Sequence, residues 1–292
     1  MNYRNWLLQS LVVVLACSIH STASANPATV GEWGPVVPWP LIAVSAANLP
    51  DGRIIAWSSN GINESPGDGP EYTHSTIYNP LNNTFSQANH DVHDMFCAGI
   101  SMLEDGTVVT SGGNSGALET SIFDYKTNTW RRVSDMNYAR WYGTNITTPD
   151  NEIFSTFAMR ANEKTERYQP SDNQWVNLPG APMKDTMEEQ TLANAFVHPY
   201  NKGTSAQWLS FMHVAPNGQI FHSGPLETMH WFDPRGAGSV TKAGKRIGGN
   251  DQARNFGNAV MFDIGKVLIV GGSGYLAKST LRRWSSTVPR RR

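Results

Sequence analysis

The chain has 292 residues, with 23 basic against 24 acidic side chains and a formal net charge of −1. That balance excludes a global electrostatic attraction to nucleic acid, and no apolar stretch after the N-terminus approaches the about 20 residues a membrane-spanning helix needs. Aromatic residues make up 10% of the chain and glycine occurs 26 times, while strong helical periodicity is hard to find, which favours a turn-rich all-β protein.

The first segment reads as a secretory signal. Arg4 gives a weakly basic start, Leu11 to Cys17 is an unbroken apolar core, and Ala23-Ser24-Ala25 is a small-x-small cleavage site. The expectation is export after removal of residues 1–25. The chain has two cysteines, and Cys17 would leave with the signal. Cys97 would then be alone, and an unpaired cysteine in an exported protein marks a reactive or modified thiol.

From Tyr78 onward a repeat organises the chain. Tyr78, Pro80, Asn83 and Phe85 recur as Phe123, Tyr125, Asn128 and Trp130, and again as Tyr168, Pro170, Asn173 and Trp175, each copy 45 residues after the last. Phe232 and Pro234 begin a fourth, degenerate copy. In each copy an aromatic should end a strand, the Pro/Asn segment should turn, because asparagine tolerates the left-handed region, and the closing aromatic should pack between neighbouring sheets.

A second element precedes each of these. Asp51-Gly52, Asp105-Gly106, Asp150-Asn151, Asn217-Gly218 and Ile264-Gly265 each precede a short apolar run, which reads as a hairpin turn followed by a strand. Gly112-Gly113 and Gly271-Gly272 follow two of these strands, where close packing excludes side chains. A period of 45 residues is that of a kelch-type β-propeller blade. The expected fold is all-β: an incomplete kelch-type propeller over residues 26–277, with about four blades and the start of a fifth.

The last fifteen residues, Lys278 to Arg292, hold six basic side chains and no acidic one. This switch follows Gly271-Gly272-Ser273-Gly274-Tyr275 and reads as out-of-frame or foreign coding, or else as a basic tail for polyanions.

On residue pattern alone, Cys97 is a buried apolar thiol, as free cysteines usually are, and Tyr142 is a core aromatic. The segment His93-Asp94-Met95-Phe96-Cys97-Ala98-Gly99-Ile100-Ser101-Met102 nevertheless resembles the cysteine-bearing segment of the galactose oxidase and copper radical oxidase family. Met136-Asn137-Tyr138-Ala139-Arg140-Trp141-Tyr142 resembles its radical-tyrosine segment. Trp33-Gly34-Pro35, Ala243-Gly244-Lys245-Arg246 and Gly257-Asn258-Ala259-Val260-Met261 match further segments in order.

The resemblance implies a seven-bladed propeller and oxidation of a small alcohol, sugar or aldehyde by O₂, with release of H₂O₂. It implies that Cys97 and Tyr142 are the cross-linked pair, with Tyr142 as radical carrier and copper ligand. The family's two histidine ligands and basic tyrosine have no counterpart here. No Tyr-His dipeptide occurs, His213 stands in a different context, and His74, His90, His93, His198, His222 and His230 match no ligand segment. The family's shielding tryptophan is likewise missing from Phe157-Ala158-Met159-Arg160. Arg254 is the nearest match to its sugar-contacting arginine.

The expectation is a truncated chain of oxidase ancestry that does not bind copper and is inactive as it stands. The alternative is an exported, non-catalytic propeller that holds a glycan or a protein.

Overall fold

The computed structural model describes residues 31, 33–62, 72–114, 117–158, 164–183, 210–225, 227–246, 254–273 and 284–287. The expected signal at 1–25 lies outside them, as does most of the basic tail. The strands described belong to the compact unit that begins at Trp39.

The described strands form five antiparallel sheets in chain order. The first contains β1 (Ser45–Asn48), β2 (Ile54–Trp57), β3 (Ser75–Asn79) and β4 (Thr84–Gln87). The second contains β5 (Gly99–Met102), β6 (Val108–Ser111), β7 (Thr120–Asp124) and β8 (Thr129–Arg132). The third runs from β9 (Thr144–Thr147) through β10 (Ile153–Thr156) and β11 (Glu166–Gln169) to β12 (Gln174–Asn177). The fourth runs from β13 (Phe211–Val214) through β14 (Ile220–Gly224) and β15 (Thr228–Asp233) to β16 (Ser239–Lys245). The fifth has β17 (Asn255–Asp263), β18 (Lys266–Ser273) and β19 (Trp284–Thr287). Each sheet is a meander whose strands pair in sequence order, which matches the expected four blades and part of a fifth.

The two repeated motifs are the two hairpins of a sheet. The Asp-Gly type turn joins the first and second strands. Gly52 and Gly106 each have φ +84°, and each donates its N–H back across the turn, to Leu49 and Leu103. The aromatic motif joins the third and fourth strands. Tyr78 faces Phe85, Phe123 faces Trp130, and Tyr168 faces Trp175 in register. The intervening Asn83, Asn128 and Asn173 have φ of 56°, 59° and 51°. Asparagine enters this left-handed region more readily than most residues.

The core lies between consecutive sheets. Side chains on a strand alternate in direction, so a strand with apolar residues at successive positions serves two interfaces. Val108 packs toward the first sheet with Trp57 and Ile77, and Val109 toward the third with Ile153 and Tyr168. Ile153 and Phe154 divide in the same way, as do Ile220 and Phe221.

The closing tryptophans fasten each sheet to the one before. Trp130 Nε1 donates to Ser75 Oγ at 3.1 Å, and Trp175 Nε1 donates to Thr120 Oγ1 at 3.0 Å. The two acceptors are themselves one repeat period apart.

Candidate active site

Cys97 and Tyr142 occupy equivalent places in the fold. Each lies in the loop that leads from the outer strand of one sheet to the first strand of the next, Cys97 before β5 and Tyr142 before β9. Those two first strands adjoin: Ser101 Oγ and Thr147 Oγ1 are 2.6 Å apart, and Thr147 Oγ1 donates to Met102 O at 2.6 Å. The loops above them therefore meet. Tyr142 N donates to Cys97 O at 3.0 Å.

The double glycine lies where these loops cross. Gly113 N donates to Arg140 O at 2.9 Å. A Cβ at Gly112 would stand 2.3 Å from Arg140 O, and one at Gly113 would stand 2.4 Å from Asp94 O. Only glycine lets the cysteine loop and the tyrosine loop approach the same sheet edge.

Both key residues have left-handed backbone, with φ 62° at Cys97 and 59° at Tyr142. Such conformations in non-glycine residues cost about 1–3 kcal/mol and persist where their surroundings impose them. The imposing groups are visible. Asn114 Nδ2 donates to Asp94 Oδ2 at 3.0 Å, and Phe96 N donates to Asp94 Oδ1 at 3.2 Å.

His93 is fully buried, and its Nε2 meets Gly112 O at 2.7 Å. A carbonyl only accepts, so Nε2 carries the proton. Burial holds the ring neutral, with a pKa of about 3. Nδ1 therefore accepts from Ser121 Oγ at 2.9 Å, and Ser121 Oγ accepts from His90 Nε2 at 2.8 Å. This chain of donors ties the cysteine loop to β7.

On the tyrosine side, Arg140 and Glu166 form an ion pair of 3.0 Å with neither side chain exposed. Glu166 also accepts from Asn137 N at 2.9 Å and Asn137 Nδ2 at 3.0 Å. One carboxylate on β11 thus anchors both halves of the loop that ends in Tyr142.

The thiol of Cys97 and the phenol of Tyr142 are hydrogen-bonding neighbours. Burial pushes the Cys97 thiol up, partly opposed by the Tyr142 and Trp141 donors. Burial, and then the contact with Cys97, push the Tyr142 phenol up. The pair rests as neutral thiol beside neutral phenol, so its reactive forms need loss of a proton. Trp141 stacks on Tyr142, ring centroids 5.0 Å apart and planes 23° from parallel.

The other sequence-singled residues lie elsewhere. His222 is fully buried, with Nδ1 3.3 Å from His230 Nδ1, and burial holds it neutral with a pKa of about 3. His213 Nε2 lies 3.3 Å from Ser223 Oγ. His74 lies edge-on to Tyr72. His198 is outside the described residues. Arg246 is buried and donates to Ser223 O at 2.9 Å, while Arg254 N donates to Pro225 O at 2.8 Å. Arg246 ties the end of the fourth sheet to its own β14–β15 connection, whereas Arg254 links that connection to Gly271 of the fifth sheet. Among the described residues, no group of three His, Cys, Asp or Glu side chains is arranged to hold a metal.

Sequence reading did not single out Ser121, Glu166 or Trp141. A buried arginine demands a carboxylate, but the sequence does not say which one. Trp141 stands within the radical-tyrosine segment, where its residue type assigns it no role.

No family model matches the chain. Over 266 residues it is 34% identical to galactose oxidase from Gibberella zeae, in two curated sequences, across 87% of this chain and 37% of each relative. The chain thus spans little more than a third of the length of the curated relatives it matches. A solved structure of a fungal alcohol oxidase of the AA5 family, in complex with copper, superposes with a TM-score of 0.72 at 27% identity, covering 89% of this chain and 56% of that one.

Proposed function

Since this chain is a relative of the galactose oxidase-like copper radical oxidases, sharing their propeller-type fold, we propose that Cys97 and Tyr142 are the thioether-forming, radical-bearing pair of an oxidase centre. The observation that carries this reading is their meeting. Two residues 45 positions apart, on loops of different sheets, are joined by a backbone hydrogen bond and a thiol–phenol contact. An ordinary core thiol needs neither a phenol partner nor left-handed backbone on both sides.

The coupling balances as follows. A bond forms between Cys97 Sγ and a Tyr142 ring carbon beside the hydroxyl-bearing one. The S–H and that ring C–H are lost as two protons, and two electrons pass to O₂, which becomes H₂O₂. A sulfur substituent makes a phenol easier to oxidise, which suits Tyr142 to hold one oxidising equivalent.

Tyr142 fits copper as a phenolate donor. Copper, when bound, would supply the second one-electron acceptor for converting a primary alcohol and O₂ to an aldehyde and H₂O₂. Cu(II) takes several nitrogen and oxygen donors in tetragonal geometry. The described residues provide Tyr142 without a surrounding ligand group, so no step of turnover is assigned to them. Small primary alcohols, sugars or aldehydes are the substrate class of this reading, and export through residues 1–25 suits such chemistry.

The test is a peroxide assay on the purified 292-residue chain with Cu(II), O₂ and a panel of primary alcohols and aldehydes. The expected result is no sustained peroxide above that of Tyr142→Phe. Sustained peroxide that disappears in Tyr142→Phe would overturn the expectation of inactivity and would mean that residues beyond Tyr142 complete a copper centre in this chain.

A further inference from the structure

We propose that Trp141 is the cover of Tyr142: its indole lies on the phenol face and shields the ring carbons at which a thioether would form. The proposal rests on the reading of Tyr142 as the radical-bearing residue, and it assigns the shield to the residue next to it in the chain.

Consecutive side chains of extended backbone point to opposite sides. Trp141 and Tyr142 are consecutive, yet their rings are stacked at 5.0 Å and 23°. The left-handed backbone at Tyr142, φ 59°, turns its ring back toward its predecessor. Gly143 then allows the chain to leave closely past Arg140, whose Cβ and Cδ would each lie 3.3 Å from a Cβ at that position. The unusual backbone of Tyr142 thereby acquires a use, because it creates the stack.

Two further observations agree. The buried Trp141 Nε1 is a donor toward the Cys97 thiol, whose ionised form it favours, and buried Trp N–H groups usually find such a partner. Phe157 opens the segment where the resemblance places a shield, and its ring is turned into the core. It lies 4.8 Å from His222 and 6.3 Å from Phe232, between the third and fourth sheets.

The test is site-resolved nitration with tetranitromethane on metal-free protein. The reagent attacks the ring carbon beside the phenol hydroxyl. The nitro group replaces a hydrogen that leaves as a proton, and trinitromethanide departs. All variants carry Cys97→Ser, so the thiol does not consume reagent and a failure of the thioether reading leaves this result untouched.

Trp141→Ala should raise Tyr142 nitration several-fold. Trp141→Phe, which retains a stacking ring, should restore protection. Tyr168, buried between the second and third sheets, should not change. Unchanged Tyr142 nitration in Trp141→Ala would overturn the proposal. So would a parallel rise at Tyr168, which marks general loosening, or a Trp141→Phe variant as unprotected as Trp141→Ala.

Discussion

Left-handed backbone separates the residues that build the fold from those that build the site. Asn83, Asn128 and Asn173 adopt it at hairpin turns, where asparagine was expected from the repeat alone. Cys97 and Tyr142 adopt it without any such signal in their residue types. Their conformations are imposed by loops from different sheets, which no local pattern encodes. The double glycine was legible as a close approach, but its partners, Arg140 O and Asp94 O, were not. Gly112→Ala should therefore be far more damaging than Gly52→Ala. Both glycines have positive φ, but a Cβ at Gly52 would meet nothing within 4 Å, whereas one at Gly112 would be driven into Arg140 O at 2.3 Å. Thermal denaturation should show a loss of about 1 kcal/mol for Gly52→Ala and a clearly larger one for Gly112→Ala. Equal losses would mean that the loops do not cross there.

At the level of elements, the 45-residue spacing announced nearly everything about the hairpins. It placed the turns and the aromatic pairs, because those depend on residues close in sequence. The fastening between sheets was announced only in part. Trp130 and Trp175 were expected to pack between neighbours, but Ser75 and Thr120 as their acceptors became visible only in three dimensions. The same holds for the Arg140–Glu166 pair. Arg140 is fully buried, and its Nε and one terminal nitrogen have no partner, so Glu166 is its main compensation. Removing one partner of a buried ion pair leaves an uncompensated charge and costs about 3–5 kcal/mol. Glu166→Ala should lose that much in denaturant unfolding and release the Asn137–Tyr142 loop. A loss below about 1 kcal/mol, the range of exposed pairs, would contradict the anchoring role.

For the whole molecule, the histidines that sequence reading set aside as structural acquire a measurable part. His93 and His222 are held neutral by burial, each with a pKa of about 3. An unfolded histidine takes up its proton at about pH 6.5. Between that pH and about 3 the unfolded state binds more protons, so stability is full above the upper limit and falls as pH drops. Each such histidine contributes a slope of about 1.4 kcal/mol per pH unit in that window. Denaturant unfolding at stepped pH should show this fall, and His222→Gln should reduce its slope by one histidine's share. A slope unchanged by the substitution would mean that His222 is not held neutral.

The central claim, that Cys97 and Tyr142 form an oxidase-type pair, is tested most directly by tandem mass spectrometry of protease fragments after aerobic incubation with Cu(II). The Cys97 and Tyr142 fragments should travel as one species, two hydrogens lighter than their sum and resistant to thiol reductants. The species should be absent from both Cys97→Ser and Tyr142→Phe. Recovery of Cys97 as a fully alkylatable thiol, or of a linkage that persists in Tyr142→Phe, would contradict it.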